Sequence, residues 1–185
     1  MAELVVFHHA QGQTPGFLAF TETLRAAGHT VHAPDLYDGK TFATLDEGVA
    51  HAQRVGFGSI IDRGAQAAAG LPPGLVYAGF SLGVLPAQKL AQNRPGAVGA
   101  LLLHASIPLA EFGGAWPAGV ALQMHVMEDD ELGDVDVARE LERTIDGAEL
   151  FLYPGSGHLF ADSSLADYDP QAADLLIERV LAFLR

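Results

Sequence analysis

Gly79-Phe80-Ser81-Leu82-Gly83 follows directly on the apolar run Leu75–Ala78, and this stretch decides the fold of the chain. The apolar run predicts a buried strand, and the pattern G-x-S-x-G between a strand and a helix is typical of a nucleophile elbow. In such a turn the serine adopts a strained backbone conformation that exposes its hydroxyl, and side chains in place of the glycines would collide with neighbouring backbone. The helix that follows directs its free N–H groups at negative charge developing beside the serine. The turn therefore suits acyl transfer.

Two later stretches offer the partners that such a serine needs. Leu122–Met127 predicts a strand that runs into an acidic segment, residues 128–130. Leu150–Tyr153 predicts another strand, followed by a glycine-rich loop that ends in His158. The order serine, acid, histidine after successive strands is the order expected of an α/β-hydrolase sheet.

Each of these side chains has a role that its chemistry suits. A serine hydroxyl is inert near neutral pH unless an adjacent base removes its proton, so Ser81 is the expected nucleophile and His158 the general base and then acid. An aspartate should fix the imidazole tautomer and stabilise its cation. Asp129 and Asp130 are both available, because strand ends shift by a residue or more in sequence-based predictions.

The composition indicates an ordinary globular protein. The 185 residues carry 49% hydrophobic side chains, enough for one domain over residues 1–185 with a single core. The net charge of −13 argues against nucleic acid and anionic membranes as partners. There are no cysteines, so disulfides and thiolate metal sites are excluded. No apolar run is long enough for a signal peptide or a membrane span, which predicts a cytoplasmic protein.

Short β-rich runs alternate with helical patterns along the whole chain. This alternation predicts an α/β fold, with a mostly parallel sheet of about six to seven strands and helices on both faces. The other predicted elements are strands Leu4–His8, His29–Ala33 and Val98–Leu103, and helices Thr14–Ala27, Leu45–Ala69 (broken near Gly56–Gly58), Val135–Thr144 and one opened by Asp169-Pro170. The Gly/Pro-rich loop Ile107–Gly119 leaves little material for a lid, so an open site without a large lid is expected.

Chemically active side chains gather at the carboxyl ends of the predicted strands, which is where open α/β sheets bind ligands. An oxyanion hole there should use the backbone N–H of Leu82 and one from the loop after the first strand, with Ala10 as the first candidate and Gln11 next. The candidate lining of a substrate pocket is His9, Gln11, Phe80, His104, Phe112 and Trp116.

Several of these residues have an alternative interpretation. His104 is equally expected to be a capped strand-end histidine, and Phe112 and Trp116 are equally expected in the core. His9 is expected to approach Ser81 or a substrate. Metal binding by His8 and His9 is rejected, because adjacent strand residues point to opposite faces of a sheet.

Three motifs give the chain a resemblance to the dienelactone hydrolase family of α/β hydrolases over nearly its whole length. They are Ala33-Pro34-Asp35-Leu36-Tyr37, the elbow, and the run Tyr153–Phe160. The resemblance implies a compact α/β-hydrolase fold with its catalytic triad, and its register favours Asp130 over Asp129. The chain also departs from the best-known members: Ser81 replaces their cysteine nucleophile, His9 their glutamate, and Asp162 an arginine four residues after the catalytic histidine.

Together these observations predict a small serine hydrolase. Its substrate would be a small, uncharged carboxylic ester or lactone, cleaved through an acyl-enzyme on Ser81, His158 and Asp130 without metal or organic cofactor. A thioesterase or another acyl hydrolase would share the triad. A non-catalytic, ligand-binding member of the fold is the alternative of a different class. No sequence feature specifies an oligomeric state.

Overall fold

Six parallel strands form one sheet in the structure, a computed structural model that describes residues 1–185. The strands are β1 (Glu3–Phe7), β2 (Thr30–His32), β3 (Leu75–Phe80), β4 (Gly99–Leu103), β5 (Ala121–Met127) and β6 (Glu149–Tyr153), and they lie in the order β2-β1-β3-β4-β5-β6. Because every pairing is parallel, all carboxyl ends meet at one edge of the sheet, which we call the carboxyl edge. The predicted α/β fold is confirmed.

Helices cover both faces of the sheet. They are α1 (Pro15–Ala26), α2 (Leu45–Val55), α3 (Phe57–Ala69), α4 (Val84–Asn93), α5 (Val135–Thr144) and α6 (Pro170–Phe183), with 3-10 turns at Ser81–Gly83 and Leu109–Phe112. Helices α1 and α6 share one core with one face of the sheet, and α2 to α5 share a second core with the other face. The expectation of a single core is therefore wrong, because the sheet divides the apolar interior in two. None of the helices combines the length and the apolar character needed to cross a membrane.

Strand β1 shows why the sheet sequences are apolar without interruption. Val5 and Phe7 belong to the core under α2–α5, whereas Leu4 and Val6 belong to the core under α1 and α6. Successive side chains of a strand point to opposite faces, so a strand covered on both faces is apolar at every position. All four residues are fully buried.

The predicted helix break is a complete separation. Gly56 adopts φ +89° between α2 and α3, a conformation that glycine tolerates and other residues rarely adopt. Helix α2 begins at a capping box, in which Thr44 and Glu47 each bond the other's backbone amide. This start places Leu45 at the carboxyl edge of the sheet, beside the loop that carries His158.

Candidate active site

The elbow places Ser81 directly after β3 in a strained conformation. Its φ of +49° lies in the left-handed region, where non-glycine residues are uncommon. The backbone approaches itself closely here: a Cβ on Gly79 would lie 2.2 Å from the carbonyl oxygen of Gly83, and a Cβ on Gly83 would lie 2.3 Å from that of Phe7. Glycine is required at both positions, and the close packing holds the turn against β1.

Ser81, His158 and Asp130 are joined by hydrogen bonds at the carboxyl edge. Oγ of Ser81 lies 2.7 Å from Nε2 of His158, and Nδ1 of His158 lies 2.7 Å from Oδ2 of Asp130. The second oxygen of Asp130 accepts the N–H of Leu132 at 2.9 Å. An ionised carboxylate only accepts, so Nδ1 of His158 donates to Asp130 and Nε2 is left to accept the serine proton.

The geometry distinguishes Asp129 from Asp130, the two aspartates that the sequence offered as partners of His158. Asp130 is buried against His158, whereas the side chain of Asp129 is exposed. The backbone N–H of Asp129 donates to the carbonyl of Gly155 at 3.0 Å, which pairs the end of β5 with the loop after β6. Asp130 is therefore the aspartate that reaches the imidazole.

Asp167 is a further residue at the site, which sequence reasoning missed. Its carboxylate accepts the backbone N–H of His158 at 3.2 Å, and its own backbone carbonyl lies close to Gly157. These contacts tie the histidine loop to the segment before α6. No local pattern marks Asp167, because it lies in an irregular segment before α6.

Two backbone N–H groups remain available for an oxyanion. Leu82 is the second residue of the 3-10 turn, and the first N–H groups of a helix have no intrahelical acceptor. In the loop after β1, Gln11 donates its N–H to Nδ1 of His9 and Gly12 donates to the carbonyl of His9. The N–H of Ala10 has no acceptor within the protein. Of the two predicted candidates in this loop, Ala10 has the free N–H and Gln11 does not.

His9 does not line the substrate crevice, contrary to expectation. It is fully buried, and its Nε2 lies 2.8 Å from Oδ2 of Asp162, which is fully buried too. Asp162 also accepts hydrogen bonds from the hydroxyl of Thr14 and from the N–H and hydroxyl of Ser164. Burial alone would raise the pKa of Asp162, but the hydrogen bonds from His9, Ser164 and Thr14 together lower it to about 2.

The expectation that His104 and Phe80 line the pocket is also wrong, because both are fully buried. The ring of His104 contacts those of Phe80 and Phe160, with centroid distances of 5.3 and 4.7 Å. Neither ring nitrogen of His104 has a hydrogen-bond partner, and burial holds its pKa well below the ordinary value. Since φ at His104 is +69°, the strand-end backbone turns this side chain inward beneath His158.

Phe112 and Trp116 lie away from the site. The indole N–H of Trp116 donates to the carbonyl of Val120, just before the amino end of β5, and this is the opposite edge of the sheet from Ser81. The carbonyl of Phe112 accepts from Asn93, the last residue of α4. The loop after β4 thus runs along α4 from one edge of the sheet to the other, and neither aromatic side chain lines a pocket at Ser81. Trp116 packs against the core under α2–α5, which is the alternative that the sequence offered.

Two clefts flank the loop that carries His158. One, of about 380 Å³, is lined by Leu45, Asp129, Asp130, Glu131, Leu132, Ser156, His158 and Asp167. The other, of about 250 Å³, is lined by Gln11, Ala43, Thr44, Leu45, Leu159, Leu165, Ala166 and Asp167. Neither cleft contains a lysine or an arginine, and the carboxylates of the first make its potential negative. Of the predicted pocket residues, Gln11 lines a cleft beside His158, whereas Trp116 lines a separate cleft of about 450 Å³ with residues 144–146.

Comparison with known proteins identifies the family and supports the fold. The dienelactone hydrolase family model matches residues 2–185. A dienelactone hydrolase-like promiscuous phosphotriesterase from metagenomic libraries superposes with a TM-score of 0.74 at 18% identity, over 100% of this chain and 87% of that chain. A dienelactone hydrolase from Anabaena variabilis gives 0.70 at 18% identity, over 100% and 88%. One of the metagenome-derived lipolytic enzymes LipS and LipT gives 0.64 at 18% identity, over 100% and 93%. No curated protein matches the sequence.

Proposed function

Because this chain belongs to the dienelactone hydrolase family, we propose that it is a serine hydrolase that cleaves a small carboxylic ester or lactone. The observation that carries the proposal is the 2.7 Å contact between Oγ of Ser81 and Nε2 of His158, with Asp130 on the other ring nitrogen. Nucleophile, base and orienting acid within hydrogen-bond reach are the arrangement that activates a serine hydroxyl.

The acylation step follows from this arrangement. Oγ of Ser81 attacks the carbonyl carbon while Nε2 of His158 takes the hydroxyl proton, and the carboxylate of Asp130 stabilises the resulting imidazolium. The carbonyl oxygen becomes an oxyanion, for which the N–H groups of Leu82 and Ala10 are the proposed donors. The intermediate collapses to an acyl-serine, and the imidazolium returns its proton to the leaving alkoxide.

Deacylation repeats the same steps with water. Nε2 of His158 takes a proton from a water molecule, which attacks the acyl carbon and re-forms the oxyanion. Collapse of this intermediate breaks the bond to Oγ, and His158 returns the proton to Ser81. For a lactone the leaving alkoxide stays attached to the acyl group, so the product is a single hydroxy acid.

The surroundings of the site support a small substrate without negative charge. Asp129, Glu131 and Asp167 line the clefts beside His158, and neither of these clefts contains a basic side chain. A substrate carboxylate would be repelled there, whereas a neutral ester would not. Leu45 and Leu132 supply apolar surface for the group attached to the carbonyl.

The test is labelling by a fluorophosphonate probe, followed by a hydrolysis screen of small esters, lactones and thioesters. Wild-type protein should be labelled and Ser81→Ala should not, while Ser59→Ala, on the exposed side of α3, should label like the wild type. Thioesters would be cleaved by the same steps, so the rates in the screen rank the substrate classes. A folded wild-type protein that resists the probe and hydrolyses nothing would contradict the proposal and favour a ligand-binding protein.

A further inference from the structure

The His9–Asp162 pair determines how the loop after β1 uses its backbone N–H groups. Nδ1 of His9 accepts the N–H of Gln11 at 3.2 Å, which requires the ring proton to sit on Nε2. That proton is donated to Asp162 at 2.8 Å. A carboxylate only accepts, so Asp162 fixes the tautomer of His9, and the tautomer in turn fixes the bond to Gln11.

The consequence is that one N–H in the loop remains unpaired. Gln11 and Gly12 both donate to His9, to its ring and to its carbonyl, whereas Ala10 is buried and its N–H has no acceptor within the protein. Buried backbone N–H groups without a partner are rare in folded proteins, because each one costs free energy. The loop follows β1, which pairs with β3 and packs against the elbow at Gly83, so this unpaired N–H is a candidate donor to an oxygen of the substrate.

The loop is also packed tightly from outside. A Cβ on Gly48 of α2 would lie 2.2 Å from the carbonyl oxygen of Ala10, and a Cβ on Gly16 of α1 would overlap the carboxylate of Asp162. Asp162 accepts a hydrogen bond from the hydroxyl of Thr14, at the start of α1, and it lies four residues after His158. A single carboxylate therefore joins the loop after β1 to the segment that carries the histidine.

We propose that His9 and Asp162 are positioning residues that hold the loop after β1 so that the N–H of Ala10 is presented to the oxyanion formed beside Ser81. The inference rests on the proposed function and deepens it. Neither side chain touches the substrate, because both are fully buried. Their effect passes through the backbone of residues 10–12, and it should appear in the stabilisation of tetrahedral states and not in ground-state binding.

The experiment compares Asp162→Asn, His9→Gln and His9→Asn with the wild type. Glutamine places its amide near the position of Nε2 and keeps contact with Asp162, but it offers Gln11 no acceptor in place of Nδ1. Asparagine places its carbonyl near Nδ1 and keeps the bond to Gln11. Each protein is assayed for kcat and KM on the best ester, for the affinity of an alkylboronic acid, which forms a tetrahedral adduct with serine, and for Tm.

We expect Asp162→Asn and His9→Gln to lower kcat by about 10- to 100-fold, less than the loss of a whole oxyanion donor, with KM changed less than about twofold. Boronic acid affinity should fall by the same factor as kcat. His9→Asn should recover most of kcat. Asp169→Ala, which removes an N-cap side chain whose hydrogen bonds all go to the first turn of α6, is the control for simple destabilisation and should lower Tm without changing kcat.

Any one of three outcomes would overturn the inference but not the proposed function. They are wild-type kcat in folded Asp162→Asn and His9→Gln, an unchanged boronic acid affinity when kcat falls, and a kcat of His9→Asn no higher than that of His9→Gln. A wild-type protein that neither hydrolyses esters nor binds the boronic acid would instead overturn the proposed function, and the inference with it. The two failures are thus distinguishable in one set of assays.

Discussion

Oδ2 of Asp130 lies 2.7 Å from Nδ1 of His158, and both side chains are almost completely buried. One residue earlier, Asp129 is exposed and bonds the histidine loop only through its backbone. The two neighbouring aspartates therefore form a matched pair for testing the role of the buried one.

Asp130→Asn should lower kcat by about 10³- to 10⁴-fold with little change in KM, as loss of the orienting acid does in serine hydrolases generally. The asparagine amide would donate to Nδ1 and hold the ring proton on Nε2, so the imidazole could no longer accept the proton of Ser81. Asp129→Asn should keep wild-type kcat. Ester hydrolysis and the rate of probe labelling measure both variants, and equal losses in the two would contradict the role given to Asp130.

The elbow glycines give a prediction about stability. Gly83→Ala should destabilise the fold by about 3 kcal/mol or more, because its Cβ would lie 2.3 Å from the carbonyl oxygen of Phe7, and a backbone atom of a central strand yields less easily than a side chain. Gly58→Ala in the first turn of α3 is the control: nothing lies within 4 Å of its Cβ position, and alanine should leave the stability unchanged or raise it by up to about 0.5 kcal/mol. Urea unfolding of both variants would test the difference, and a Gly83→Ala protein as stable as wild type would contradict the close approach.

The three side chains that the structure brings together as predicted lie at the ends of strands, although a strand-end position is not sufficient, since Phe80 and His104 lie there too and point into the core. Apolar runs that end in a polar residue identify Ser81, Asp130 and His158, and parallel pairing brings such residues to one edge whatever the details of the loops. The strands themselves are recognisable because burial on both faces makes them continuously apolar.

The residues that sequence predicted poorly depend on contacts between distant loops. His9 and Asp162 are separated by 153 positions. The one sequence feature that could have paired them is that both depart from the family pattern, and that a histidine can donate a hydrogen bond to an aspartate. The sequence could not decide between pocket and core for Trp116, because the path of its loop is fixed by Gln88 and Gln92 of α4, which bond the backbone at Ile107, Leu109 and Ala115. Local periodicity carries no information on such side-chain bonds.

Buried histidines should make the protein sensitive to mild acid. Burial lowers the pKa of His8 to about 4 and that of His125 to about 3, and it holds the pKa of His104 well below its ordinary value. In the unfolded chain all three take up protons near pH 6.5, so between about pH 5.5 and 4.5 unfolding binds about three protons. As the pH is lowered through this window, the free energy of unfolding should therefore fall by about 4 kcal/mol per pH unit. Above about pH 7 it should not change with pH.

Urea unfolding at several pH values between 7.5 and 4.5 measures this slope. The stability lost over one pH unit is a large part of the total for a domain of this size, so cooperative unfolding is expected before pH 4. A stability that is constant down to pH 5 would show that these histidines are protonated in the folded protein.

His104→Leu isolates one of the three histidines. The substitution removes a group that titrates only in the unfolded chain, so the slope between pH 5.5 and 4.5 should fall to about two protons, or about 2.7 kcal/mol per pH unit.

At pH 7.5 the free energy of unfolding should stay equal or rise: leucine has similar bulk, and two buried ring nitrogens without partners are removed, each of which costs about 1–3 kcal/mol. The left-handed φ of +69° offsets part of this gain, because leucine tolerates that region less well than histidine. Urea unfolding of the variant at both pH values tests the prediction, and a loss of more than about 1 kcal/mol at pH 7.5 would contradict it.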